Sequence, residues 1–239
     1  MSEKTHLDFN FLDESIKPTV EKNTDANASS EPKVVGVHGD QVKFFEYFKE
    51  CFTNFPKFAK KYLTTKTNPK YLFLVVWVVG VGTVADRIIG SSGDYSSWGE
   101  VWAIALFGGI LSGALAYFIA GWFYDIRVGW SKGNRNIDTS RNIYIFSSLP
   151  IALLSILSFV FNNMAYGDDY FSSYAYDGSV VDIICFLLLI PVLIYAIRMG
   201  YKAAREVMGV EKGRAIWWFA VAPGILYTLV IGFAVLNSS

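Results

Sequence analysis

Residues 71–89 read YLFLVVWVVGVGTVADRII, with no charged side chain before Asp86. A hydrocarbon core of roughly 30 Å takes about 20 helical residues to cross, and every backbone amide in lipid has to be satisfied inside its own helix. This stretch therefore predicts a transmembrane helix. Four more follow it, at 101–124, 142–161, 180–199 and 215–236. The expected fold is an all-α membrane protein, a five-transmembrane-helix bundle spanning 71–236.

The segments between the stretches alternate in charge. Arg127, Lys132, Arg135 and Arg141 lie between the second and third. Lys202, Arg205, Lys212 and Arg214 lie between the fourth and fifth, with Arg198 at the edge of the fourth. The other two segments hold Asp94 and Glu100, then Asp168, Asp169 and Asp177, and neither contains Lys or Arg. Positive-inside counting puts the N-terminus in the cytoplasm and the C-terminus outside. Short connecting loops point to a bacterial inner membrane.

Composition agrees. Apolar residues make up 53% of the chain, above the roughly 45–50% of soluble domains. The zero net charge averages unlike parts: residues 1–42 are acidic, whereas 43–70 carry seven Lys against two Glu. The polar opening MSEKTHLDFN lacks the apolar core of a signal peptide, so the first span is expected to act as the insertion signal. Cys51 and Cys185 are separated by the membrane surface and are expected to be unpaired thiols.

Ahead of the first span, residues 1–40 are predicted to be a disordered cytoplasmic tail; NTDANASSE at 23–31 has little apolar surface and no periodicity. Residues 41–70 differ. Phe44, Phe48, Phe52 and Phe55 recur at helical spacing beside Lys43, Lys49, Lys57, Lys60 and Lys61. This predicts an amphipathic cytoplasmic helix, lying either in the headgroup region or against the bundle.

The spans carry packing signatures. Gly109 and Gly113 form a G-x-x-x-G beside the row Gly108, Ser112, Ala116, Ala120, and Gly224 and Gly232 recur in the last span with Ala220 and Thr228. Small residues let helix backbones approach in lipid. Pro150, Pro191 and Pro223 are candidate kinks, since each frees a carbonyl one turn back.

Catalytic motifs occur only as fragments. Gly90-Ser91-Ser92-Gly93 spells the nucleophile motif of rhomboid proteases, but His6 and His38 lie in the tail, across the membrane from that serine. Asp125 resembles half of an aspartyl-protease pair, with Asp168 and Asp182 on the opposite side. Gly80-Val81-Gly82 matches a dinucleotide fingerprint by letters alone, inside a span. Two Cys and two His do not build a soft-metal site, and the outer carboxylates read as solvated loops. Asp86 and Arg87 fall within a turn of the interface, where both reach water. No ionisable residue falls near the centre of a span, where a coupled transporter keeps its ion-handling group. Neither catalysis nor a cofactor is expected.

The second half of the chain resembles the Yip family, the Ypt- or Rab-interacting membrane proteins. Lys132-Gly133 followed by RNIYIFSSLP at 141–150 is similar to that family's basic inner loop entering its third span. Tyr201-Lys-Ala-Ala-Arg205, Gly209 and Gly213-Arg214-Ala215 resemble its second inner loop. The likeness covers about residues 50–236 and matches the short bacterial form. The D-L-Y-G-P segment of the eukaryotic branch is absent ahead of the first span, and with it the sequence support for small-GTPase binding. The resemblance implies a non-enzymatic integral membrane protein. The residues add a basic, aromatic cytoplasmic surface formed by Phe44, Phe48, Phe52, Phe55, Lys60, Lys61, Arg141, Arg205 and Arg214, fit for anionic lipid or a cytoplasmic protein. The competing class is a channel, transporter or lipid-moving protein using the proline-bearing helices. No nucleic-acid partner is expected, and a homo-oligomer is left open.

Overall fold

The computed structural model describes residues 43–64, 67–89, 95–171 and 180–225, and every regular element among them is helical. The tail 1–40, the 90–93 motif, Asp94, Asp177, the side chain of Asp182, and Thr228 and Gly232 lie outside the described residues. The chain begins with α1 (Phe44–Thr53) and α2 (Phe55–Phe58), the latter prolonged by a π-helical turn, Ala59–Leu63. Then come α3 (Pro69–Ile89) and α4 (Trp98–Leu115), which runs through a second π-helical turn (Ala116–Ala120) into α5 (Gly121–Trp130). α6 (Ile137–Tyr166) ends in a 3₁₀ turn, Gly167–Phe171. α7 (Val180–Met208) and α8 (Lys212–Ile216) follow, and α8 continues through a third π-helical turn, Trp217–Val221.

Local chemistry sets these ends. Pro69 opens α3, where its missing N–H is one of the unpaired donors of a first turn. Ser97 caps α4 by accepting from the Glu100 amide, and Asn136 caps α6 by accepting from the Thr139 amide at 3.0 Å. Gly209, at φ +62°, takes the left-handed position that stops α7.

Four helical runs are long and apolar enough to cross a membrane: Pro69–Ile89, Trp98–Trp130, Ile137–Phe171 and Ile183–Met208. The fifth apolar stretch enters as helix from Lys212 to residue 225 and its remainder is outside the described residues. At the basic end the helices run longer than the apolar stretches. Arg127 and Arg141 sit on α5 and α6, and Lys202 and Arg205 on α7, because those helices continue past the apolar stretches by one to three turns. The true loops there are short. They are joined where the Asn134 amide donates to the Met208 carbonyl (2.8 Å) and the Glu211 amide to that of Ser131 (2.9 Å). At the opposite end, Trp98 Nε1 donates to the Gly167 carbonyl, and the Trp98 ring stacks on Tyr170 with centroids 4.8 Å apart.

α6 packs on α5 and α7, and α3 packs in turn between α4 and α6. The reason is its glycines. A methyl on Gly80 would overlap the Gly109 carbonyl oxygen, one on Gly113 the Val76 carbonyl oxygen, and one on Gly82 would lie 2.6 Å from Ala152 Cα. Backbones this close gain dispersion contacts that replace the hydrophobic drive absent in lipid.

Candidate interaction surface and central cavity

α1 and α2 are docked on the basic end of the bundle. Tyr47, Cys51, Phe55, Phe58, Tyr62 and Leu63 are buried in one core with Phe146 of α6 and Ala203 of α7. The Tyr47 ring lies 4.8 Å from Phe58 and 4.6 Å from Tyr71, and Phe58 lies 5.5 Å from Phe146, distances at which tilted aromatic pairs attract. The Tyr195 hydroxyl of α7 donates to the Phe52 carbonyl, and Lys60 pairs with Glu206 at 3.5 Å. Burial pushes the Cys51 thiol up to about 12. It raises the Tyr47 phenol as well, with Cys51, Tyr62 and Tyr71 adding to the effect.

The buried stripe of α1 is thus not the one expected. Phe44 is 53% exposed and Phe45 77%, while Phe48 and Phe52 are half-buried against the core's edge. Tyr47 and Cys51, one position away on the helix wheel, make the inner face instead, and only Phe55 of the predicted four is fully buried. The outer side of this segment presents Phe44 and Phe45 with Lys43, Lys49, Lys57, Lys60 and Lys61.

The other predicted cations spread across the same end. Lys61 pairs with Glu50 at 3.5 Å, Arg214 with Glu211 at 3.3 Å, and Arg141 with Asp138 at 3.6 Å. The Arg141 guanidinium also lies 5.0 Å from the Phe118 ring, and that of Arg205 lies 5.8 Å from Tyr201. Beneath them runs a buried polar layer. Asp125 accepts from Arg135 Nε at 2.7 Å and from Ser140 Oγ at 2.9 Å. Asn142 accepts from the Tyr117 hydroxyl at 3.0 Å and donates to Thr67 Oγ1 at 2.9 Å, linking the π-helical turn after α4, α6 and the lead into α3.

Between α3, α4–α5, α6, α7 and the helix after α8 lies a cavity of about 620 Å³. Pro223 lines it; Pro150 is buried inside α6 and Pro191 is exposed inside α7, each in a helix that continues past it. Of the packing glycines, Gly109 and Gly113 meet α3, whereas a methyl on Gly224 meets no described atom within 4 Å.

Sequence reasoning missed Tyr47 and Cys51, the Asp125–Arg135–Ser140 cluster, Asn142 as a hub, and Gly80 and Gly82 as packing residues. The Tyr47, Cys51, Phe55, Phe58, Tyr62 series does repeat at helical spacing and is readable once Tyr and Cys are scored as apolar. Gly80 and Gly82, set aside as a letter match to a nucleotide motif, lie where α3 meets α4 and α6.

An all-helical chain with several apolar membrane-length helices is a multi-pass integral membrane protein. The family model described as the Yip1 domain matches residues 52–234, most of the chain, and the protein belongs to that family. Comparisons with curated proteins and with solved structures found no match.

Proposed function

We propose that the chain is a non-enzymatic membrane-organising or partner-recruiting protein that acts through its basic end. That end faces the cytoplasm, with the C-terminus external, in a bacterial inner membrane. The observation that supports this best is the docked α1–α2 segment, whose anchored inner face leaves Phe44 and Phe45 outward among five exposed lysines. An exposed aromatic pair on a helix that also presents lysines suits an anionic phospholipid surface or an acidic patch on a cytoplasmic protein. The short loops and the absent D-L-Y-G-P segment support the bacterial assignment. A photo-crosslinking residue at Phe45 in living cells tests the reading, with one at lipid-exposed Phe107 of α4 as control. Adducts to a cytoplasmic protein at position 45 and not at 107, or a share of anionic lipid among the lipid adducts that is higher at 45 than at 107, are expected. Identical adducts at both positions would contradict the proposal.

The cavity favours a second reading, a permeation or lipid-moving protein. Reconstitution into liposomes, scored for ion flux and lipid flip, separates the two. Flux or flip above empty liposomes selects the second.

A further inference from the structure

We infer that one exposed stripe of α7 is a binding site for a single anionic phospholipid. Its hydrocarbon lies on Leu187, Pro191 and Ile194, and its phosphate on Arg198 and Lys202. Those five residues and Arg205 fall at i, i+4, i+7, i+11, i+15 and i+18, which places them on one side of the helix. All six are exposed, Leu187 to 60% and Ile194 to 61%. The other side of α7 packs into the bundle, where Ala196, Met199, Gly200, Ala203 and Ala204 are buried.

The stripe changes chemistry along its length. Its first half is wholly apolar and belongs to the membrane-length helical run Ile183–Met208, so it meets acyl chains. Its second half is cationic, on the part of α7 that extends beyond the apolar stretch. Helical side chains tilt toward the N-terminus of their helix, so Lys202 and Arg205 lean back toward Arg198 and the hydrocarbon. Long cationic side chains placed this way keep their stems on apolar surface and their charge among the headgroups. Tyr195, whose hydroxyl donates to the Phe52 carbonyl, stands beside Arg198 in sequence, and tyrosines collect at that level of a bilayer.

The protein's own acids do not neutralise this ladder. Among the described residues Arg198 and Lys202 have neither an ion pair nor a side-chain hydrogen bond, and Arg205 meets the Tyr201 ring at 5.8 Å. Glu206, the nearest acid in sequence, is held by Lys60 at 3.5 Å, and Glu211 is shared by Lys132 and Arg214. Two cations one turn apart with no acid between them suit a phosphate, which arginine grips with paired donors. The apolar half alone would accept any lipid. Charge complementarity at the basic half selects an anionic one, from the leaflet at that end. The site lies apart from Phe44 and Phe45 and holds under either reading of function.

The test is native mass spectrometry of the full-length protein in mild detergent, titrated with equal amounts of palmitoyl-oleoyl phosphatidylglycerol and phosphatidylcholine. The wild type should retain one phosphatidylglycerol per chain, preferred over phosphatidylcholine about tenfold, the equivalent of about 1.4 kcal/mol. Arg198→Gln combined with Lys202→Gln should abolish that preference. Lys43→Gln combined with Lys49→Gln, which removes the same charge from the α1 segment, should keep it. Equal retention of both lipids by the wild type, a reading that needs no variant, would overturn the inference. An unchanged preference in the α7 variant would overturn it by placing the lipid elsewhere. An equal loss in both variants would overturn it by reducing the effect to net charge.

Discussion

Arg135 places its Nε 2.7 Å from Oδ2 of Asp125, a carboxylate whose side chain is only 4% exposed although the arginine itself is 55% exposed. The pair joins the loop after α5 to α5 itself, and Ser140 adds the start of α6 through the second carboxylate oxygen. A half-wet pair contributes more than an exposed one, typically about 0–1 kcal/mol, and less than a fully buried one. Arg135→Ala should cost about 2 kcal/mol, because it leaves a buried carboxylate with one hydroxyl donor. Asp125→Asn added to it should recover part of the loss, since no charge then needs a partner. Thermal unfolding in detergent of the two single variants and the double measures this coupling. An unchanged midpoint for Arg135→Ala would place the pair among the inconsequential surface contacts.

The meeting of α3 and α4 gives the second prediction. Gly113→Ala and Gly109→Leu should each destabilise the bundle, the latter by something on the order of 1–2 kcal/mol, because the added carbons meet Val76 and Val81 backbone and side chain. Gly213→Ala is the contrast. A methyl there meets no described atom within 4 Å, and alanine is favoured over glycine in a helix by about 1 kcal/mol, so this variant should be at least as stable as the parent. Equal behaviour of all three would mean that α4 does not use its glycines for packing.

Much of this was readable in advance, for a physical reason. Lipid imposes a length and an apolar composition on anything that crosses it, so the uncharged run ahead of Asp86 announces α3 without knowledge of its neighbours. The G-x-x-x-G of α4 is likewise local. The buried face of α1 was harder, because Phe44, Phe48 and Phe52 compete with Tyr47 and Cys51 on adjacent stripes, and only the position of Phe146 and Tyr71 decides between them. The extensions of the helices past Arg127 and Lys202 are not written in the apolar pattern, because apolar runs report the hydrocarbon and not the helix, which continues beyond it. The cavity was invisible, since its walls come from segments more than 100 residues apart.

Cys51 tests the docking of α1. Its thiol, ordinarily near 9.0, is pushed up to about 12 by burial, so the folded state favours the neutral form. The stability this contributes is complete below pH 9 and is lost as the pH climbs toward 12. In a Cys185→Ala background, iodoacetamide at pH 8 should label Cys51 far more slowly than in the detergent-unfolded chain, because burial both disfavours the reactive thiolate and shields the sulfur. Labelling should accelerate steeply above pH 9 as α1 lifts away. Native labelling as fast as unfolded labelling would show that α1 is not held on the bundle.

Every partner proposed for the basic end depends on which side of the membrane that end occupies. Reporter fusions after Lys132 and after Gly209 measure this directly, with fusions after Asp169 and Ser239 as the opposing pair. The positive-inside pattern predicts cytoplasmic signals from the first two and external signals from the second two. An external signal at Lys132 would contradict the account, because the lysines around Phe44 and Phe45 would then face away from the cytoplasm and from every partner proposed for them.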